Sequence, residues 1–269
     1  MKKDRYKIVV LSDLTKSPGA ILQSAVSLAQ IINAQIVLFS VKKPTDIVKM
    51  DNQLSARRTI NSEHKATDRK MQNLIAPMVR EYGVNITYSF AFGNVKTEIE
   101  TLLSDQNPDV VVLGKRRSSA FSLIGDGITD FVLNRHKGPI MIASRGNALE
   151  PKKEIGLGTL NNPKAFKDLE FSEELLQQAR PPLKVFNIIK NAAKSQKHSP
   201  TSNQKIVEYV FEYNDNIIKN FSTYLSKNQI DLLCMDRANK QSQTEGQLTL
   251  SDVKEVMGKL KVSLLISGE

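Results

Sequence analysis

The side chains that most often carry catalysis are scattered in this chain. Its three histidines, His64, His136 and His198, lie far apart in polar stretches with no Cys or carboxylate at ligand spacing, so each reads as a surface histidine and no metal centre is indicated. Neighbouring acids, Glu98 with Glu100 and Glu173 with Glu174, fall on helical patterns without an accompanying base or nucleophile and read as solvated faces. There is no Walker A sequence, no GxSxG elbow, no HExxH and no complete GxGxxG; Gly156-Leu-Gly158 lacks a third glycine and an acidic partner. Cys234, the single cysteine, sits in the apolar run Asp231-Leu-Leu-Cys-Met235 and reads as a buried small hydrophobe. No catalytic residue and no metal ligand is nominated, and binding is a better expectation than catalysis.

Composition narrows the partners. The 269 residues, 40% hydrophobic, suffice for two domains of ordinary size, each with its own core. A net charge of +10 would suit nucleic acid or an anionic membrane surface. The basic pairs Lys2-Lys3, Lys42-Lys43 and Arg57-Arg58 are, however, separated by acidic and apolar residues, and the chain has no Trp to stack on bases. The charge therefore reads as a solvated basic surface rather than a nucleic-acid groove. Met1-Lys-Lys-Asp-Arg-Tyr-Lys7 lacks the apolar stretch and cleavage site of a signal peptide, and no run of about 18 apolar residues could span a bilayer. A cytoplasmic protein without a membrane partner is expected.

The elements that would position any site are short apolar strands alternating with helical patterns. Lys7-Ile-Val-Val-Leu-Ser12 reads as a buried parallel strand; Ser17 and Pro18 then offer an N-cap and a proline at the first helical position, with Ile21, Leu22, Ala25, Leu28, Ala29 and Ile32 at helical spacing. Further strands are expected at Gln35–Val41, Val84–Phe90, Val110–Leu113 and Gly138–Ser144. Helices are expected over about 48–82, after Gly93, and at Ile128–Arg135. The alternation predicts a parallel sheet with helices on both faces. After a polar linker, residues 146–153, the pattern starts again: Glu154–Thr159 echoes the first strand and Pro181–Ile189 the second, at spacing kept without gaps. Asn216–Phe221 with Asp231–Asp236 repeats Asn94–Ile99 with Asp109–Gly114, and Val262–Ser267 repeats Pro139–Ser144. The counterpart of the long polar helix is reduced to residues 191–203, which read as a loop. The chain thus divides into 1–145, a linker, and a degenerate copy, 154–269.

The first half resembles the universal stress protein family through the strand ending in Ser12-Asp13, the strand Ile36–Val41, Val110-Val-Val-Leu-Gly-Lys115, the loop Ile124-Gly-Asp-Gly-Ile-Thr129 and Val132–Ile142. The resemblance implies an α/β fold of two tandem doubly wound five-stranded parallel sheets, each in order 3-2-1-4-5 and flanked by helices, with the second copy degenerate. It implies ATP at the carboxyl ends of strands one and four, beside Asp13 and Gly114, where a doubly wound sheet leaves a crevice that can receive phosphate. Asp13 is the expected ribose or adenine contact and the main chain of Val41 an adenine contact; Gly114, Lys115, Gly125, Gly127 and Thr129 complete the cofactor-binding set. The family's glycine motif is altered here: Arg117 stands at its second glycine and Ile128 at its hydroxyl position, and aligning on Val132-Leu133 moves the last pair to Asp126-Gly127. Arg116 and Arg117 read equally as a grip on phosphate, as an obstruction of the cradle, or as a solvated basic loop.

In the second half Leu160 takes the place of Asp13 and Asp236 that of Gly114, where a carboxylate would repel an anion. That half is expected to bind no nucleotide and to pair with the first through strands 139–144 and 262–267, an internal pseudo-dimer compatible with a further homodimer. The function implied is a stress-response regulatory binding protein holding ATP, another adenine nucleotide or a smaller anion weakly. The alternatives are a ligand-free interaction scaffold and a nucleotide-dependent enzyme of the adenine-binding α/β group, and fold alone does not separate them.

Overall fold

The computed structural model of the chain describes residues 5–15, 17–43, 53–115, 127–161, 166–189, 206–212, 214, 217–237 and 259–268. The first five strands are β1 (Tyr6–Leu11), β2 (Ala34–Lys42), β3 (Ile86–Phe92), β4 (Val110–Gly114) and β5 (Ile140–Ala143). The last five are β6 (Leu157–Leu160), β7 (Leu183–Ile189), β8 (Ile206–Glu212), β9 (Leu232–Met235) and β10 (Ser263–Ile266). All ten form one sheet in the order β3-β2-β1-β4-β5-β10-β9-β6-β7-β8. Each half therefore has the order 3-2-1-4-5. Its strands are parallel, and the halves meet where β5 and β10 pair antiparallel, Met141 opposite Leu265.

The helices among the described residues are α1 (Pro18–Ile32), α2 (Gln53–Tyr82), α3 (Val95–Gln106), α4 (Ile128–Arg135), α5 (Ser172–Gln177) and α6 (Ile217–Lys227). They cover both faces, which is why β4 reads Val-Val-Val-Leu with every one of those side chains buried. Alternation along β1 sends Ile8 and Val10 to one core with Leu22 and Leu28 of α1 and Met71 of α2. Val9 and Leu11 go to the other, with Ile99 of α3 and Val132 of α4. Neither core stops at the junction: the first continues through Leu157, Leu175 and Leu232, the second through Phe186, Phe221 and Leu264.

Three local expectations are corrected. Ser17 is the N-cap of α1 but adopts a left-handed conformation (φ 54°) and its side chain makes no cap hydrogen bond, so the start rests on Pro18, whose fixed φ suits the first turn. Strand β3 begins at Ile86, two residues beyond Val84, because the pairing with β2 opens at Ile36 and Ile86. The repeat is also not gapless. Leu11 lies opposite Phe39 and Leu113, and Leu160 opposite Phe186 and Met235, so Leu160 is the counterpart of Leu11 rather than of Asp13. Paired strand-entry bonds give the same register: the Lys7 amide donates to Asp109 Oδ2 and the Gly156 amide to Asp231 Oδ2, both at 2.7 Å. The first connection of the second half is thus two residues shorter, and Asp13 corresponds to position 162, outside the described residues. Arg116, Arg117, Gly125, His198 and the 191–203 segment also lie outside the described residues.

Candidate nucleotide crevice

Strands β1 and β4 are neighbours whose connections leave on opposite faces, α1 on one and α4 on the other, and their carboxyl ends open into a cavity of about 530 Å³. Leu11, Ile21, Phe39, Ile99 and Leu113 line it with apolar surface. Asp13, Val41, Gly114 and Thr129 also line it, so four of the residues singled out in the sequence converge there. Asp13 is exposed at the mouth. Its Oδ1 accepts from the Thr15 amide (2.9 Å) and hydroxyl (2.8 Å), while Ser12 Oγ accepts from the Leu14 amide (3.1 Å). These local bonds hold the chain after β1 in a turn, with Leu14 at φ 58°. Val41 lies in the ladder opposite Ala91.

The glycines have specific local reasons. A Cβ on Gly114 would lie 2.9 Å from Cγ1 of Ile21 and closer still to its Cδ1, so helix packing against β4 already demands a glycine there. Gly127 is the N-cap of α4 at φ +69°, a conformation that disfavours side chains. Gly156 and Gly158 are packing glycines too: a Cβ would meet the Gln229 carbonyl at the first and Phe186 Cε2, at 2.7 Å, at the second. Lys115 turns away from the cavity. Its amine donates to the Leu260 carbonyl across the junction, and burial pushes its pKa down from 10.5 to about 8.

The cavity also holds residues that the sequence did not flag: Lys43, Asn94, Lys96 and Arg145. Asn94 caps α3, its Oδ1 accepting from the amides of Lys96 (3.1 Å) and Thr97 (3.3 Å), so those two donors are already satisfied. Lys96 places its ammonium 5.8 Å from the Phe131 ring centre and 3.6 Å from where a Cβ on Gly127 would sit. Arg145 follows β5, and its Nε is buried without a hydrogen-bond partner. Among the described residues the lining therefore carries Lys43, Lys96 and Arg145 against Asp13 as its one acid. Nothing in periodicity marks these cations; only the strand order brings the β5 exit beside the start of α3.

The same positions in the second half differ. By the register of α3 with α6 and of β4 with β9, Lys96 corresponds to Ile218 and Ile99 to Phe221; β5 lies against β4 as β10 lies against β9, with Met141 equivalent to Leu265, so Arg145 corresponds to Glu269, outside the described residues and one position beyond what the sequence repeat suggests. Phe221 joins Phe186 (centroids 5.3 Å apart), Phe211 and Tyr224 in an aromatic cluster. Asp236 does follow β9 where Gly114 ends β4.

Elsewhere, His136 is buried, contrary to its reading as a surface histidine. It sits where α4 ends, and loss of water, then the Arg237 guanidinium, lowers its pKa. Among the described residues no three His, Cys, Asp or Glu side chains group as a metal would require, and no helix is long and apolar enough to cross a membrane.

Sheet order and crevice together define a tandem, doubly wound α/β protein with its cleft at the strand ends. A model of the universal stress protein family matches residues 5–144, just over half of the chain, and the chain belongs to that family. The fold is similar over nearly its whole length to a universal stress protein from Archaeoglobus fulgidus (13% identity, TM-score 0.67, covering 98% of this chain and 97% of that one). It is also similar to a functionally unknown protein from Pseudomonas aeruginosa (12% identity, TM-score 0.61, covering 97% and 92%). At such identities the likeness is one of fold. A search of the curated proteins found no match.

Proposed function

We propose that the crevice of the first half binds an adenine nucleotide, ATP or a close relative, as a weak regulatory ligand. In this reading residues 154–269 form a second unit that acts as the built-in partner of residues 1–145 across the β5–β10 junction, in a cytoplasmic protein. The observation that carries it is the cavity itself: apolar walls wide enough for a ring system, a carboxylate at the mouth for hydroxyl groups, and basic side chains around it. Family membership of the first half supports the same ligand class. Against it stand Arg117 and Ile128 at positions where the family's ATP motif has glycine and a hydroxyl residue, and these favour an interaction scaffold as the second reading.

Calorimetric titration of the full chain with ATP and magnesium separates the two. A binder should show saturable heat that Asp13→Ala abolishes, and a gain of about 2.7 kcal/mol in unfolding free energy at a hundredfold excess over Kd. No heat and no thermal shift at millimolar ATP would leave the scaffold.

A further inference from the structure

We propose that Lys96 and Arg145 form a cationic clamp for the charged end of the ligand, so that affinity in this crevice is set by the ligand's negative charge. The inference rests on the nucleotide reading for its adenine half and on the two side chains alone for its anionic half.

Three observations carry it. Both residues line the same cavity, one from the first turn of α3 and one from the exit of β5, so a group seated between these elements meets cations from two directions. Among the described residues neither is in an ion pair, and Arg145 Nε is buried with no hydrogen-bond partner. A buried donor left unmade costs free energy that an anion would recover. Third, the molecule contains its own control. The second half repeats the same strand order and helix placement with Ile218 and Glu269 at the two positions. The fold therefore does not require a lysine or an arginine there, and structural need does not explain the cations of the first half.

The clamp also fits the altered glycine motif. With the first amides of α3 satisfied by Asn94, the positive charge at this end of the crevice is delivered by side chains. Guanidinium and ammonium groups grip phosphate oxygens through charge-assisted hydrogen bonds that need no hydroxyl at position 128.

The test is a charge series on the full chain, titrating adenosine, AMP, ADP, ATP and inorganic tripolyphosphate into wild type, Lys96→Met and Arg145→Met. Methionine keeps an unbranched apolar stem at each position, and circular dichroism with the thermal midpoint verifies folding. The clamp predicts affinity rising with each added phosphate in wild type, and a loss of about tenfold or more for ATP in each variant. Adenosine binding should stay unchanged and the salt dependence of ATP binding should weaken. Equal affinity of the variants and wild type for ATP, or equal losses for adenosine and ATP, overturns it. Should no adenine compound bind wild type, the nucleotide reading fails, and tripolyphosphate decides the clamp separately: binding lost in both variants sustains it, and absence of binding refutes it.

Discussion

Gly114 ends β4 at the floor of the crevice, where two different demands could have selected glycine: room for a ligand, or room for Ile21. Geometry makes the second demand explicit. In Gly114→Ala the new Cβ would lie 2.9 Å from Ile21 Cγ1 and nearer still to Cδ1. Ile21 is buried within the first turn of α1, where a β-branched side chain has one strongly preferred χ1, so it has no easy rotation out of the way. The expected cost is that of overpacking, about 1–3 kcal/mol. Ile21→Val alone should cost about 0.5–1.5 kcal/mol, yet it removes the Cδ1 atom at the closest approach. The double variant should therefore be more stable than the sum of the single losses by about 1 kcal/mol. Urea denaturation followed by circular dichroism measures all four proteins; additive losses would refute the steric account. Calorimetry on the same proteins asks the functional half of the question. If only packing demanded glycine, nucleotide affinity should return with stability in the double variant.

Two further outcomes concern the junction. Arg237 Nη1 donates to the carbonyls of His136 (2.6 Å) and Leu133 (3.3 Å), and Nη2 donates to that of Gly138 (2.8 Å), tying the end of α4 to the other half; Arg237→Met should lower unfolding free energy by about 2–4 kcal/mol with an unchanged urea slope, and an unmoved midpoint would refute this role. Lys115 loses its proton near pH 8 when folded but near 10.5 when unfolded, so between those values the unfolded chain binds more protons and stability should climb with pH. Comparing pH titrations of stability for wild type and Lys115→Met should show that climb only in wild type, and parallel curves would count against it.

Much of the fold was legible because its strands are buried on both faces and so appear as unbroken apolar runs; Val110–Leu113 and Ile140–Ala143 leave little choice. Helix α4 was equally clear, Ile128–Arg135 being bounded by glycine and by the turn before β5. Strand β8 was harder to see: its burial alternates at an edge of the sheet, and Val207 and Val210 are exposed. The counterpart of Asp13 was misplaced because apolar runs look alike when slid by two residues, whereas the aspartate-to-amide bonds at Asp109 and Asp231 fix the register. For the crevice, Asp13 and Gly114 were reached through the family resemblance, with pattern supplying only the strand ends they adjoin. Lys96 and Arg145 could not be found, since lysine after a helix cap and arginine after a strand are unremarkable until topology places them together. His136 looked polar by its neighbours, Asn134, Arg135 and Lys137, but the path of the chain into β5 carries it inward.

The antiparallel pairing of β5 with β10 has an evolutionary corollary. In an assembly of two identical chains every substitution enters both copies at once, so a change that closes one crevice closes its twin. Joining the copies in one polypeptide breaks that bond of inheritance. The strand that holds the halves together can stay fixed while Ile218, Phe221 and Glu269 stand on one side only, and under the proposed function a ligand then meets a molecule with a single address instead of two. Such a protein would report its ligand without cooperativity between equivalent sites, as a graded signal with one ligand per chain.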